Sequence, residues 1–177
     1  NSLIKGTTLI QIFDLYIPEE YREEITEQLD VWEAQMHYEL MPGAEEYINR
    51  LHSKGVKTAL VTSSNDKKMR QVRRTLPQFD SLFDVVLTSE DFTRSKPFPD
   101  CYLKAALKLG VEPDECVVFE DSVNGLRSGM DAKMKVVGLL TTNVQAVVAP
   151  LSDLQVSNYI GMTFDSITQF LHFTSRS

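Results

Sequence analysis

The chain has 177 residues, enough for one domain with a full core, or for one domain plus a small appendage. With 42% hydrophobic and 24% charged residues it has the composition of a soluble globular protein. Its net charge of -7 repels nucleic-acid phosphates and anionic membranes at long range, so neither is an expected partner, although a local basic pocket can still hold a small phosphate.

No apolar run is long enough to span a bilayer, and the N-terminus lacks the basic-then-apolar pattern of a secretory signal. Two cysteines, Cys101 and Cys116, form no CxxC pair, and the three histidines form no metal-ligand pattern. This is the usage of free thiols in a reducing cytosol, so a cytoplasmic location is expected, with a monomer as the default. The chain opens NSLIKGTT without methionine, which reads as a processed, truncated or partial polypeptide.

In chain order, TTLIQIFDLY places Leu9, Ile10, Phe13 and Ile17 at helical spacing. Pro18 and two glutamates then open a second helix whose apolar stripe is Ile25, Leu29, Trp32 and Met36, a packing face. That stripe also suggests a regulatory helix-bundle contact through residues 9–40, against which simple intramolecular packing weighs. After MPG at 41–43 the texture changes. AEEYINRLHSKG is a helix ended by Gly55; VKTALVT is a strand; SNDKKMRQVRRTL is a helix; FDVVLTS is an apolar run. PDCYLKAALKLG is a helix ended by Gly110, CVVFE a strand, SVNGLRSGMDA a helix start and KVVGLL a strand, and MTFDSITQFLHF carries a short strand and a terminal helix. Alternating strands and helices predict an α/β domain with a mostly parallel sheet.

In such sheets chemistry collects beyond the carboxyl ends of the strands, here residues 62–65, 90–99 and 120–124. Thr62, Ser63, Ser64 and Asn65 combine hydroxyls with backbone N–H groups at a helix start, which suits either phosphate binding or plain capping. In TRSKPFPD, Pro97 and Pro99 stiffen an extended loop around Lys96, which is either aimed inward or solvated. In VVFEDSVNG, a buried strand runs into the adjacent carboxylates Glu120 and Asp121. Together they suit a hard divalent cation; alternatively the aspartate caps a helix and the glutamate is solvated. Hydroxyl donors, one lysine and an acid pair together fit phosphoryl transfer.

These segments resemble the haloacid dehalogenase superfamily, and within it the β-phosphoglucomutase-like group, from about Leu40 to about Phe170. MPGAEEYINRLHSKGVKTALVTSSN resembles the approach to the second motif, which implies a phosphate-binding Thr62 with Ser63 alongside. SKPFPDCY is similar to the third-motif lysine loop, implying that role for Lys96. VVFEDSVNGLRSGMDA resembles the fourth motif, implying Asp121 and Glu120 as magnesium acids. The resemblance implies a doubly wound, mostly parallel Rossmann-like core over residues 41–177, lacking its first strand, with residues 1–40 as the later part of a helical cap.

Two departures stand out. The family's D-x-D nucleophile segment is absent: IQIFDLYI has Asp14 but Tyr16 where the second aspartate belongs, in a stretch expected to be a cap helix. The resemblance therefore implies that strand and nucleophile precede Asn1, and that this polypeptide by itself is inactive and poorly stable. Where the family often has Ala-Gly before Met, Lys133 stands before Met134, at a turn that favours glycine. The implied activity is magnesium-dependent hydrolysis of a small phosphorylated metabolite through an aspartyl-phosphate. A sugar-phosphate mutase is the alternative within the family, weakened because Lys5 is the only basic residue around KGTTLIQIF and the visible cap is mostly acidic. A non-catalytic binding remnant of the fold is the alternative outside it.

Overall fold

The computed structural model describes residues 8–173; Lys5 lies outside them. Two helices come first, α1 (Leu9–Tyr16) and α2 (Glu19–Ala34). Thr8 and Gln11 form a reciprocal capping box that starts α1, and Glu19 and Glu20 favour the positive N-terminal end of α2. Neither helix buries a residue fully. The stripe expected on α2 is only partly a packing face: Ile25 and Leu29 are half-buried, Met36 lies beyond the helix, and Trp32 is 59% exposed. Polar contacts also hold α2. Against α4 (Asp66–Thr75), Lys67 pairs with Asp30, Lys68 Nζ lies 3.0 Å from Glu33 Oε1, and Gln71 donates to Met36 O at 3.2 Å.

From α3 (Ala44–Ser53) onward, helix and strand alternate as the sequence requires: β1 (Ala59–Val61), α4, β2 (Val85–Leu87), α5 (Asp100–Leu109), β3 (Val117–Glu120), α6 (Val123–Asp131), β4 (Lys135–Leu139), the short α7 (Gln145–Val148), β5 (Leu154–Val156) and α8 (Phe164–Phe173). The late strand is not in MTFDSI as expected but at LQV, where Val156 joins the core. All strand pairs are parallel: β1 with β2, and β3–β4–β5 in order. Parallel pairs need crossovers, which α4, α6 and the segment carrying the short α7 supply.

The sheet is in two pieces. Among the described residues β1 pairs only with β2, and β3 at its own edge only with β4. Packing joins the pieces, because the core beneath α5 combines Cys101, Tyr102 and Ala106 with Val118 of β3 and Val61 of β1. Side-chain alternation sends Val117 and Phe119 to the other face, onto Tyr47, Leu51 and Tyr159. Helices therefore cover both faces, a doubly wound arrangement. No described helix is long and apolar enough to cross a membrane.

Candidate active site

The loops at the carboxyl ends of β1, β2 and β3 do converge, and Lys96 is the joint. It is 4% exposed. Its Nζ donates to Glu120 Oε2 at 2.7 Å and to Val61 O at 3.3 Å, linking the last residue of β3 to the last residue of β1. The loop that delivers it is turned rather than extended: the Lys96–Pro97 peptide is cis, and Pro99 takes helical dihedrals to begin α5.

The adjacent carboxylates part company. Glu120, 9% exposed, turns toward Lys96. Its Oε1 accepts from Asp121 N (3.0 Å), Ser122 N (3.0 Å) and Ser122 Oγ (2.9 Å), while Oε2 accepts from Lys96 and from Tyr102 Oη at 2.8 Å. Burial alone would push this carboxyl up; the Lys96 ammonium, helped by the Ser122 N–H and the Tyr102 hydroxyl, outweighs it and holds Glu120 well below the usual carboxylate range. Asp121 turns the other way, where its Oδ2 accepts from Thr141 Oγ1 at 3.3 Å and from Thr142 Oγ1, and its carbonyl accepts from Asn143 Nδ2 at 2.9 Å.

Local sequence explains the geometry. Ser122 caps α6 by accepting from Gly125 N at 3.0 Å, which swings the backbone N–H groups of residues 121 and 122 onto Glu120. Gly125 is required by close approach: a Cβ there would lie 2.0 Å from the Glu120 carboxyl carbon. In the loop after β1, Thr62 N–H extends the pairing to Leu87 O (2.9 Å), and Thr62 Oγ1 accepts from Ser64 N at 3.1 Å. Ser64 O accepts from Ser89 N at 2.9 Å, which ties this loop to the one after β2. Asn65 is the cap of α4, accepting from Lys68 N at 2.9 Å. Ser63 stands between them and is also engaged.

Asp14 lies far in role from this centre. It sits on α1 in an exposed ion pair with Arg22 at 2.9 Å. Sequence reasoning missed Tyr102 and the Thr141-Thr142-Asn143 loop, and gave Ser122, within the 120–124 stretch it singled out, no role of its own. That loop follows β4, so the rule of carboxyl strand ends would have found it; Tyr102 gave no signal beyond standing six residues after Lys96.

Among the described residues no group of three or more His, Cys, Asp or Glu side chains converges as a metal cage. Both Glu120 oxygens are engaged, which leaves Asp121 as the one carboxylate of the pair turned away from Lys96. A single carboxylate fits part of a Mg²⁺ site, since that ion keeps several waters and takes a substrate phosphate alongside one or two acids.

The sequence profile of the haloacid dehalogenase-like hydrolases matches residues 2–139. The chain belongs to that family. It is 43% identical over 96 residues to the putative phosphatase YhcW of Bacillus subtilis, covering 54% of this chain and 43% of that protein. It is 36% identical over 98 residues to hexitol phosphatase B of Escherichia coli K12, covering 54% and 43%. The matches thus span less than half the length of these relatives. Among solved structures, β-phosphoglucomutase from Clostridium difficile superposes with a TM-score of 0.79 at 22% identity, over 97% of this chain and 80% of that one. This likeness carries the fold: a haloacid dehalogenase-like core of parallel strands covered by helices.

Proposed function

We propose that the protein is a magnesium-dependent phosphohydrolase of small phosphorylated metabolites, acting through an aspartyl-phosphate whose aspartate lies outside residues 1–177. The observation that carries this reading is the buried Lys96 ammonium, held between Val61 O and Glu120 at the carboxyl ends of β1 and β3, two strands that do not pair with each other among the described residues. A buried lysine whose charge is fixed by one carboxylate and one carbonyl is suited to neutralise a transferring phosphoryl group.

In this reading Thr62 and Ser63 bind the phosphate, with Ser64 and Asn65 shaping their loop and starting α4. Lys96 binds and neutralises it. Asp121 supplies an oxygen ligand to Mg²⁺, which when bound would offset phosphate charge. Glu120, expected as a second magnesium acid, serves in this reading as the counter-ion of Lys96. Residues 1–40 form the later part of a cap and residues 41–177 the core. The relatives named as phosphatases favour hydrolysis, and the one basic residue of the Glu-rich α2, Arg22, is taken by Asp14 and the carbonyls of Phe13 and Ile17 rather than offered to the second phosphate that a mutase handles.

The test is a phosphate-release assay over a panel of phosphorylated sugars and alcohols, with and without Mg²⁺. The 177-residue chain is expected to be silent. The chain extended by a strand ending in D-x-D is expected to turn over, and to lose about 10²–10³-fold as Lys96→Met. Turnover by the 177 residues alone would refute the placement of the nucleophile. Silence of the extended chain toward every ester would favour a non-catalytic binding protein.

A further inference from the structure

Tyr102 belongs to the first turn of α5, is 7% exposed, and touches both members of the central ion pair. Its hydroxyl donates to Glu120 Oε2 at 2.8 Å, and its ring lies under Lys96, with the ammonium 4.9 Å from the ring centroid. One side chain therefore fixes the counter-ion and covers one side of the cation.

We propose that Tyr102 is the positioning residue of Lys96, holding Glu120 Oε2 and the ammonium so that two of the three N–H bonds are taken by Glu120 and Val61 and the third is aimed at an anion entering between the ends of β1 and β3. That the anion is a phosphate rests on the function proposed above; that Tyr102 sets the lysine does not.

Two physical arguments support it. A lysine reaches its partner through four flexible carbons and is a point charge with three donors, so its direction is set by what surrounds it. Three donors already pin Glu120 at Oε1, and Tyr102 adds a fixed donor at Oε2, the oxygen the ammonium itself uses, so the direction from which Lys96 can approach is narrowed. The phenol is not a competing acid, because burial and the neighbouring Glu120 push it well above its ordinary value. The cation over the ring adds attraction of the usual cation–π kind.

A merely structural Tyr102 would fill the core beside Cys101, Ala106 and Val118 and do nothing else. Tyr102→Phe separates the two roles, since it keeps the ring and removes the hydroxyl. The readout is the ¹⁵N resonance of the Lys96 ammonium, assigned by its loss in Lys96→Met, together with its rate of hydrogen exchange with water. In the wild-type protein this ammonium should be seen as a slowly exchanging signal. In Tyr102→Phe it should exchange about tenfold faster or more, as loss of one hydrogen bond to a charged group implies, in a protein that still folds with a melting temperature lowered by about 3–8 °C. Inorganic phosphate, titrated as a probe, should bind about tenfold more weakly to the variant.

An unchanged exchange rate in Tyr102→Phe overturns the proposal, and so does a wild-type ammonium too fast to observe. Should Tyr102→Phe fail to fold, the wild type decides: a slowly exchanging phenol proton with a cross-peak to the Lys96 ammonium supports the proposal, and its absence refutes it. Wild-type protein that binds no phosphate but shows the exchange difference would sink the phosphatase reading and leave the positioning role standing.

Discussion

Lys96 and Glu120 stand 24 residues apart in the chain and 2.7 Å apart in space, their side chains only 5% and 10% exposed. A pair this buried loses much of its attraction to the cost of desolvating both charges, so its net contribution is small, but each partner depends on the other. Lys96→Met leaves the Glu120 carboxylate buried and uncompensated and should cost about 3–5 kcal/mol, whereas Lys96→Met with Glu120→Gln should recover a large part of that loss. Urea unfolding of the two single variants and the double variant measures this directly. Strictly additive losses would show that the two side chains do not interact.

Acid should find the same pair. Glu120 is held below its unfolded carboxylate value, so its contribution is fully present above about pH 4.3 and is lost as pH falls toward the depressed folded value. Wild-type stability should therefore fall between about pH 4 and pH 2 more steeply than that of Glu120→Gln, which has no proton to gain there. Denaturant midpoints of the two proteins across that range give the comparison; parallel slopes would mean that Glu120 is not held down by Lys96.

The parts of this fold legible in the sequence are those set by local chemistry. Gly55 and Gly110 mark helix ends, strand-helix alternation gives parallel pairing, and the ends of β1 and β3 carry the polar residues that the fold gathers. The convergence of Lys96 on Glu120 was legible only as a need for charge balance. What was not legible depends on side-chain direction. Adjacent residues on a strand point to opposite faces, and the chain leaves β3 at Glu120, so Glu120 and Asp121 serve different neighbours although the sequence presents them as a pair. Trp32 failed for a related reason: helical spacing shows that a stripe exists, not that anything covers it.

Gly125 tests how tightly Glu120 is held. An alanine there would gain helix propensity of about 1 kcal/mol. Its methyl group, however, would sit 2.0 Å from the Glu120 carboxyl carbon, so the carboxylate must leave its donors or the helix must shift. Gly125→Ala should therefore destabilise by about 2 kcal/mol or more, against the propensity trend. A thermal melt of this single variant suffices, and a stabilised protein would show that the contact is looser than described.

The attachment of α2 to α4 should be salt-sensitive. Lys67–Asp30 and Lys68–Glu33 are partly exposed pairs, each worth about 0.2–1 kcal/mol, and α2 buries no side chain fully to back them up. Lys67→Ala with Lys68→Ala, or wild type at about 1 M salt, should speed amide exchange in α2 while leaving β3 and β4 protected. Uniform protection of α2 in both cases would show that its contacts are apolar after all.

Three helices end with the same pair of backbone bonds. After α3, Gly55 N bonds His52 O and Val56 N bonds Leu51 O; after α5, Gly110 N bonds Leu107 O and Val111 N bonds Ala106 O; after α6, Lys133 N bonds Met130 O and Met134 N bonds Gly129 O. The turning residue has φ of 75°, 68° and 62° respectively, so Lys133 holds the left-handed conformation that the other two ends give to glycine. Its side chain is exposed, so nothing in the core rewards the choice. Lys133→Gly relieves a left-handed strain of about 1–2 kcal/mol and returns part of it through the greater freedom of glycine in the unfolded chain. The variant should be more stable by about 0.5–1 kcal/mol, seen as a melting temperature raised by about 2 °C. A lowered melting temperature would mean that the lysine side chain makes a contact worth more than the strain it imposes.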